Sequence, residues 1–351
     1  MKKKITISDV AREAGVSIST VSNYLNGREE LLRPDTRKRV ERAISDLEYR
    51  PNPVARQLKT GNSPFIGLIV PSVANPFYGV FAQYVESAAA ELGYHVLLGN
   101  CSRDPGKEKE FAEQLFNYGV RGVVFGSSLV DVSYLSDLIK EGLRLVTFDR
   151  SSAQGEKMAF DAVGVDNWQG MYIATRHLLG LGHRRIGFVS GPIKTISRIN
   201  RLEGYKKALI DAGIEPDPDI IWQMDVSAGY GDSDAIRIGR KATQQLLASP
   251  NPPTAIVAIN AMFAMGVYSG AREMGVSIPD ELSVVGFDDI DLAEIVNPPL
   301  TTIRQPLADM ASKAVELLVN RLDGKHDGDG ICHTFPAELV VRHSTDKPKA
   351  R

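Results

Sequence analysis

Polar and aromatic side chains stand directly after several apolar runs of this sequence, where strands of a parallel sheet would end. Hydroxyl groups both donate and accept hydrogen bonds, so carboxylates, amides and aromatic rings together suit a polyhydroxylated ligand. Taken singly, each residue fits a loop or helix-cap role better than a ligand contact, but the recurrence at strand ends favours a binding site. The residues concerned are Asn75, Phe77, Tyr78, Asp149, Arg150, Asp166, Asn167, Asn260, Asp288 and Asp289.

Motifs that carry out catalysis are missing from the sequence. It contains no GxSxG elbow, no Walker phosphate loop, no GxGxxG after a strand and no HExxH. His177 and His183 flank the end of a predicted helix, where capping its C-terminus explains them. The adjacent pair Asp288 and Asp289 could mimic the acid and base of a carbohydrate-modifying enzyme, and that alternative stays open. The pattern favours binding over catalysis, with no cofactor and no metal site.

Short apolar runs alternate with helical stretches from residue 63 onward, as in FIGLIVPS, GVVFGSS and LSVVGFDD with helices near 77–92, 168–181 and 201–212. This alternation predicts parallel sheets with helices on both faces. There are about twice as many strands as one doubly wound sheet takes, so we predict two similar lobes, split near residue 163. Ligands bind beyond the carboxyl ends of such strands, so facing lobes would put the candidate residues around one cleft.

The first fifty residues have a purely helical pattern. Thr6 and Asp9 fit a capping box, Gly15 ends the first helix, and Ser17 can cap a second helix over 18–25; a third runs from Pro34 to about residue 47. Two helices joined by a short glycine turn form a helix-turn-helix, whose second helix enters the major groove of DNA. An ordinary three-helix cap on an enzyme is the alternative. Outward positions of the second helix are Ile18, Ser19, Ser22 and Asn23.

Charge is distributed unevenly along the chain. The 351 residues carry a net charge of -2, but residues 1–62 hold 13 lysines and arginines against 8 acidic residues. That segment is therefore +5 and the remainder -7. A small basic module on an acidic body suggests a polyanion partner for the first part only.

Composition and the N-terminus indicate a cytoplasmic protein. Hydrophobic residues make up 43% of the chain, enough for a sizeable core, yet no apolar run is long enough to span a membrane. The basic start MKKK is followed by polar residues where a secretory signal would be apolar. Cys101 and Cys332 lie in apolar, strand-like stretches, which predicts two buried thiols in a reducing compartment.

Eight segments, in order along nearly the whole chain, carry a family resemblance: DVAREAGVSISTVSNYLNG, RPNPVARQLKTG, IGLIVPSVANPFY, VGVDN, GHRRIGFVSGP, RLEGYKKAL, SIPDELSVVGFDDI and PPLTTIRQP. With them the sequence resembles the LacI/GalR-family transcriptional regulators. The resemblance implies a helix-turn-helix headpiece, a hinge and a sugar-sensing body similar to type I periplasmic binding proteins. In such a body the chain crosses three times between the two subdomains. It also implies a homodimer. We predict a headpiece over 1–50, a hinge over 51–62 and a body over 63–345, with an N-subdomain at about 63–162 and 296–324 and a C-subdomain at about 163–295 and 325–345.

The resemblance also implies roles for individual residues. Ile18 and Ser19 would read bases, with phosphate contacts from Thr6, Ser17, Thr20, Ser22 and Asn26. The implied effector contacts are Phe77, Tyr78, Asp149, Arg150, Arg201, Asn260, Asp288 and Gln305.

Four positions depart from the family pattern. Asn23 replaces a common arginine, which puts the usual guanine contact in doubt, and Arg33 stands where serine commonly caps the third helix. Val226 replaces an aromatic that often stacks on the ligand, and Ala261 replaces a common aspartate. A flat stacking effector is therefore disfavoured relative to a sugar, polyol or sugar acid.

The segment NPVARQLKTG, residues 52–61, has helix start and stop signals about two turns apart. A helix that short is unstable alone in water, so we predict that it forms when two copies meet on DNA. Leu58 would then enter the minor groove as an apolar wedge. The segment would contribute Asn52, Ala55, Arg56, Leu58 and Lys59 to the DNA contact.

These inferences combine into a cytoplasmic, nucleoid-associated repressor of a carbohydrate-related operon. Its partners would be palindromic double-stranded DNA, a small sugar-like effector and a second copy of the chain. Association with a membrane is not expected. Effector binding would close the cleft and change the spacing of the two hinges. A transporter's solute-binding protein would share the body, but it would need an export signal and would leave residues 1–50 unexplained.

Overall fold

The computed structural model describes residues 5–25, 27–49, 63–126, 130–149, 158–224 and 234–349. The chain divides into two compact units, Met1–Asn62 and Ser63–Arg351. The described part of the first unit is helical, and the second unit contains both sheets. Among the residues that the structure describes, no helix is long and apolar enough to span a membrane.

The first unit is a three-helix headpiece, as predicted. Its helices are α1 (Ile7–Ala14), α2 (Ile18–Leu25) and α3 (Pro34–Asp46), with a 3-10 turn at Glu29–Leu31. Both halves of the Thr6–Asp9 capping box form, and Gly15 ends α1 in a left-handed conformation with φ 61°. The Ser17 hydroxyl accepts a hydrogen bond from the Thr20 amide, which caps α2. A small buried core joins the helices through Val10, Ala11, Ala14, Val21, Val40 and Ala43.

The first sheet of the body has six parallel strands. They are β1 (Phe65–Val70), β2 (His95–Asn100), β3 (Gly122–Phe125), β4 (Arg144–Phe148), β5 (Asp161–Val165) and β11 (Cys332–Phe335). Their order is β11-β5-β4-β3-β1-β2. The central strands are buried along their length because helices cover the sheet, as the apolar runs predicted.

The second sheet repeats this arrangement. Its strands are β6 (Ile186–Ser190), β7 (Ile221–Gln223), β8 (Ala255–Ala258), β9 (Ser283–Asp288), β10 (Thr301–Arg304) and β12 (Glu338–Val340). Their order is β12-β10-β9-β8-β6-β7, and only the pairing of β12 with β10 is antiparallel. The fold class is therefore the predicted one, a helical headpiece followed by two doubly wound parallel-sheet lobes.

Nine helices of the described body connect these strands. They are α4 (Pro76–Glu91), α5 (Pro105–Asn117), α6 (Ser136–Lys140), α7 (Asn167–Leu181), α8 (Ile196–Asp211), α9 (Ala235–Leu247), α10 (Ala261–Glu273), α11 (Leu292–Ile295) and α12 (Leu307–Leu322). Helix α8 begins five residues before the predicted start because the Thr195 hydroxyl caps it by accepting from the Arg198 amide. Helix α12 packs against α4 and strands β3, β4 and β5 of the first sheet.

Strand pairing places the crossings between lobes later in the chain than predicted. Strand β5 continues in the first sheet to Val165, and β10, which was assigned to the N-subdomain, lies in the second sheet. Strand β11, which was assigned to the C-subdomain, pairs with β5 in the first sheet. The crossings therefore follow Val165, Arg304 and Phe335. The apolar pattern of a strand predicts its burial but not the sheet that it joins, which explains the error.

Two smaller predictions were wrong. Cys101 is buried as predicted, but Cys332 is exposed because β11 is an edge strand of the first sheet. His177 and His183 do not cap a helix with their side chains. His183 is buried and contacts Thr254, Ser283 and the Asp346 carbonyl, while His177 contacts Thr345. Burial lowers the pKa of both imidazoles. Their hydrogen bonds to Thr345 and Asp346 fasten this C-terminal segment to the second lobe.

Candidate functional site

The start of α2 forms an exposed surface of hydroxyl groups around one apolar side chain. Ser17, Ile18 and Ser19 are exposed, and Ile18 retains 46% of its accessible surface. Thr20, Ser22 and Asn23 are partly exposed on the same helix, and Thr6 is exposed at the start of α1. The buried Val21 orients this surface by anchoring α2 to the headpiece core. The Ser17 hydroxyl forms hydrogen bonds with the hydroxyls of Ser19 at 2.7 Å and Thr20 at 2.8 Å. The backbone amides of a helix N-terminus are suited to phosphate oxygens.

Several predicted residues lie outside the described part of the chain. For DNA they are Asn26, Asn52, Ala55, Arg56, Leu58 and Lys59, and for the effector cleft they are Arg150 and the departing position Val226.

Two buried carboxylates stand at strand ends of the two sheets. Asp149 follows β4 of the first sheet, and Asp288 ends β9 of the second. Both have left-handed backbones, with φ 62° and 101°, a conformation that aspartate tolerates better than most residues. Both carboxylates therefore lie at the carboxyl ends of their strands, where the sequence predicts the ligand site.

Arg201 on α8 is the centre of a buried hydrogen-bond network. Its Nε donates to Oδ1 of Asn167 at 2.7 Å, and its Nη1 donates to the Ile259 carbonyl at 2.7 Å. The same Nη1 lies 3.7 Å from Oδ1 of Asp288, and the guanidinium stacks 3.6 Å from the centre of the Phe287 ring. The planar guanidinium is thereby fixed in one orientation.

Gln305 and Asn167 extend this network toward both lobes. Gln305 donates from Nε2 to Oδ1 of Asp288 at 2.8 Å, and Asn167 donates from Nδ2 to Oδ1 of Asp149 at 3.2 Å. Within the described residues, Oε1 of Gln305 is buried and accepts no hydrogen bond. Asn167 was a strand-end candidate for the binding site but not one of the effector contacts that the family resemblance implies, and only its partners reveal its central position.

Electrostatics distinguish Asp288 from the other carboxylates. Burial raises the pKa of the Asp288 carboxyl, the positive charge of Arg201 lowers it in part, and the negative charge of Asp149 raises it again. The resulting pKa is about 6. The Asp288 carboxyl therefore changes between its protonated and ionised forms at a pH not far below neutral.

An aromatic wall lies beside the first-sheet strand ends. The Phe77 ring meets Tyr78 edge-on at 5.1 Å and lies 6.0 Å from Phe148. Phe77 and Tyr78 are both buried at the start of α4. Arg103, after β2, donates to the Tyr78 hydroxyl at 2.9 Å. Sequence reasoning missed Arg103 because no polar residue after β2 was considered.

Other strand-end residues act as helix caps. The side chains of Asn75, Asp166 and Asn260 accept hydrogen bonds from backbone amides at the starts of α4, α7 and α10. Asn260 is buried as well, so its cap fixes the start of α10 beside the Ile259 carbonyl that Arg201 contacts.

Asp289 does not form an acid–base pair with Asp288. Its two oxygens accept from Nε of Arg304 at 2.7 Å and from Nη1 of Arg342 at 2.6 Å. The carboxylate is thus held in ion pairs, and the enzyme alternative loses its candidate pair. In the part of the chain that the structure describes, no group of three or more His, Cys, Asp or Glu side chains could hold a metal ion.

A helix-turn-helix headpiece joined to a two-lobed body with a buried polar network between its strand ends defines a ligand-responsive DNA-binding regulator. Family models agree with both parts. Residues 6–52 match the bacterial regulatory proteins of the lacI family, and residues 175–345 match a periplasmic binding protein-like domain.

Similarity to individual proteins extends over almost the whole chain. The HTH-type transcriptional repressor CytR of Escherichia coli (strain K12) is 35% identical over 342 residues, which cover 97% of this chain and 96% of CytR. The transcriptional regulator CelR–cellobiose complex has 29% identity and a TM-score of 0.72, covering 97% and 99% of the two chains. The Lac repressor dimer bound to operator and the anti-inducer ONPF has 27% identity and a TM-score of 0.82, covering 98% and 100%.

The chain belongs to the LacI family of bacterial transcriptional regulators. This membership confirms the predicted family, fold class and regulatory rather than enzymatic function.

Proposed function

We propose that this protein represses a carbohydrate-related operon and that a small sugar-like effector controls its affinity for DNA. The buried network around Arg201 carries the proposal, because donors and acceptors from several elements meet there and, among the described residues, the buried Oε1 of Gln305 is an acceptor without a hydrogen bond. A sugar hydroxyl can donate to that acceptor and accept from the guanidinium at once. The proposed effector contacts are Phe77, Tyr78, Asp149, Arg150, Arg201, Asn260, Asp288 and Gln305.

The proposed class of effector rests on a similar protein and on the residues expected around the ligand. CelR, which is similar over nearly the whole chain, is described in complex with cellobiose, and this supports a carbohydrate here. Val226 and Ala261 disfavour a flat stacking ligand, while Arg150 and Arg201 allow an acidic one. We therefore assign the effector to the sugars, polyols and sugar acids.

The DNA-binding part combines the α2 surface with the segment after the headpiece. Ile18 and Ser19 would contact bases, and Thr6, Ser17, Thr20, Ser22, Asn23 and Asn26 would lie against the backbone or base edges. Residues 51–62 would form the hinge and insert Leu58 into the minor groove. The Lac repressor dimer bound to its operator supports a homodimer on a palindromic site.

Control would come from the difference in effector affinity between two arrangements of the lobes. Typical coupling is about 1–3 kcal/mol, which changes DNA affinity about 5- to 150-fold.

Selection of bound duplexes from a random pool, with and without a panel of sugars, polyols and sugar acids, tests the proposal. We expect one palindromic sequence whose recovery changes with one class of compound. Ser19→Ala should weaken binding of that duplex about fivefold or more, while Ser45→Ala, at an exposed serine of α3, should leave it unchanged. Failure to enrich any palindrome, or turnover of a bound sugar, would contradict the proposal.

A further inference from the structure

Asn167 is a buried amide at the first crossing between the lobes. It is the first residue of α7, and the chain has just left β5 of the first sheet at Val165. Only 1% of its surface is accessible. Burying a primary amide is unfavourable unless its donors and acceptor are satisfied, so its partners define its role.

The partners of Asn167 come from both lobes. Its Nδ2 donates to Oδ1 of Asp149 at 3.2 Å and to the Val165 carbonyl at 3.2 Å, both on the first-sheet side. Its Oδ1 accepts from Nε of Arg201 at 2.7 Å, on the second-lobe helix α8. The orientation of the amide is determined by these neighbours, because a carboxylate only accepts and a guanidinium only donates.

We infer that Asn167 is the positioning residue that couples the two lobes, by holding Asp149 and Arg201 at a fixed separation across the crossing. This inference rests on the proposed function, since both neighbours are proposed effector contacts. An effector that binds Asp149 and Arg201 must fit this separation or change it. Asn167 therefore links occupancy of the cleft to the relative orientation of the lobes.

Neither a carboxylate nor an apolar side chain could replace this amide. Aspartate at 167 would satisfy Arg201 but would face the Asp149 carboxylate, to which Asp288 adds a further nearby negative charge. Leucine has a similar size but would remove the hydrogen bonds that Asn167 makes to the Asp149 carboxylate and to Nε of Arg201, both of which are buried. The Asn167 amide joins an acceptor in one lobe to a donor in the other, which neither a carboxylate nor an apolar side chain can do.

Exchange of the two side chains tests the inference directly. The double variant Asn167→Asp with Asp149→Asn retains the net charge and the hydrogen bond between the two positions, because asparagine at 149 can donate to aspartate at 167, which can still accept from Arg201; only the bond to the Val165 carbonyl is lost. Asparagine also tolerates the left-handed backbone of position 149. Asn251→Asp, at an exposed position of the second lobe, is the matched control.

The measurement is hydrogen exchange in the full-length protein, without DNA or sugar. The reporters are the backbone amides of Asp149 and Gly170, which donate to the Val163 and Asp166 carbonyls beside the crossing. We expect Asn167→Asp and Asn167→Leu to accelerate exchange there about tenfold or more, as loss of a buried partner implies. The double variant should show slower hydrogen exchange than Asn167→Asp alone, and Asn251→Asp should match the native protein.

Hydrogen exchange at the native rate in Asn167→Asp would overturn the inference. Hydrogen exchange in the double variant that is no slower than in Asn167→Asp would overturn it too. If Asn167→Leu fails to fold, the comparison of Asn167→Asp with the double variant still tests the inference. Failure of this inference is distinguishable from failure of the proposed function: a sugar panel without effect on DNA binding would refute the effector, whereas the hydrogen-exchange rates report on the contact between the lobes.

Discussion

Arg321 and Asp161 form a bidentate ion pair between positions 160 residues apart in the chain. The two bonds are 2.6 Å from Nε to Oδ2 and 2.7 Å from Nη2 to Oδ1, and the side chains are 5% and 1% exposed. Oδ1 of Asp161 also accepts from the Ile331 amide at 2.7 Å. Helix α12 and the segment leading into β11 are thereby fastened to β5 of the first sheet.

Breaking this pair should strongly destabilise the body. Arg321→Leu leaves the Asp161 carboxylate buried without its counter-ion, at a cost of about 3–5 kcal/mol in the free energy of unfolding. Urea unfolding followed by the fluorescence of Trp168 and Trp222 reports on the body, since both tryptophans of the chain lie there. Lys313→Ala, which breaks the pair with Glu316 on the surface of the same helix, should cost less than about 1 kcal/mol. Equal costs for the two variants would contradict this account.

Gly204 allows α8 to cross α7 closely. A Cβ atom there would lie 2.2 Å from the Trp168 carbonyl oxygen, which belongs to the backbone and cannot rotate away. Gly204→Ala should therefore destabilise the body by about 1–3 kcal/mol in the same urea measurement. At Gly180 on α7 an added Cβ would meet no neighbouring group within 4 Å, so Gly180→Ala should instead raise the free energy of unfolding by about 0.5–1 kcal/mol. A neutral Gly204→Ala would show that the helices can separate at little cost.

The raised pKa of Asp288 predicts a pH-dependent stability. Its folded value of about 6 exceeds the reference of 3.8, so between these values the native state binds a proton that the unfolded state has released. Stability from this group is therefore full below about pH 4 and is lost as the pH rises through about 6. Asp288→Asn removes the titrating group. The free energy of unfolding of the native protein minus that of Asp288→Asn should therefore fall by up to about 3 kcal/mol from pH 4 to pH 7. Asp137→Asn, at a side chain 86% exposed, should show a flat difference; a difference for Asp288→Asn that rises with pH would refute the assignment.

The predicted hinge has its own test. Leu58→Ala should weaken binding of the selected operator about tenfold or more, because the small side chain cannot hold the central base step open. Gel mobility of duplexes with the site at different positions should show a smaller bend. An unchanged affinity together with an unchanged bend would exclude Leu58 as the wedge.

The sequence by itself determined the local structure of the headpiece. The spacing of Thr6 and Asp9, the glycine at 15 and the apolar stripe over α1 involve contacts within a few residues, so pattern and capping rules predict them. The strand and helix alternation likewise predicted two doubly wound sheets, because burial on both faces leaves an apolar run in any such strand.

Tertiary structure alone decided which strands share a sheet and which side chains meet. Strands β10 and β11 have patterns that fit either lobe, and only pairing with β9 and β5 assigns them. The bond from Arg201 to Asn167, like that from Arg321 to Asp161, joins residues with no periodic relation in the chain. Local propensities act over a few residues, whereas these contacts depend on where long-range packing brings the strand ends, which no local pattern encodes.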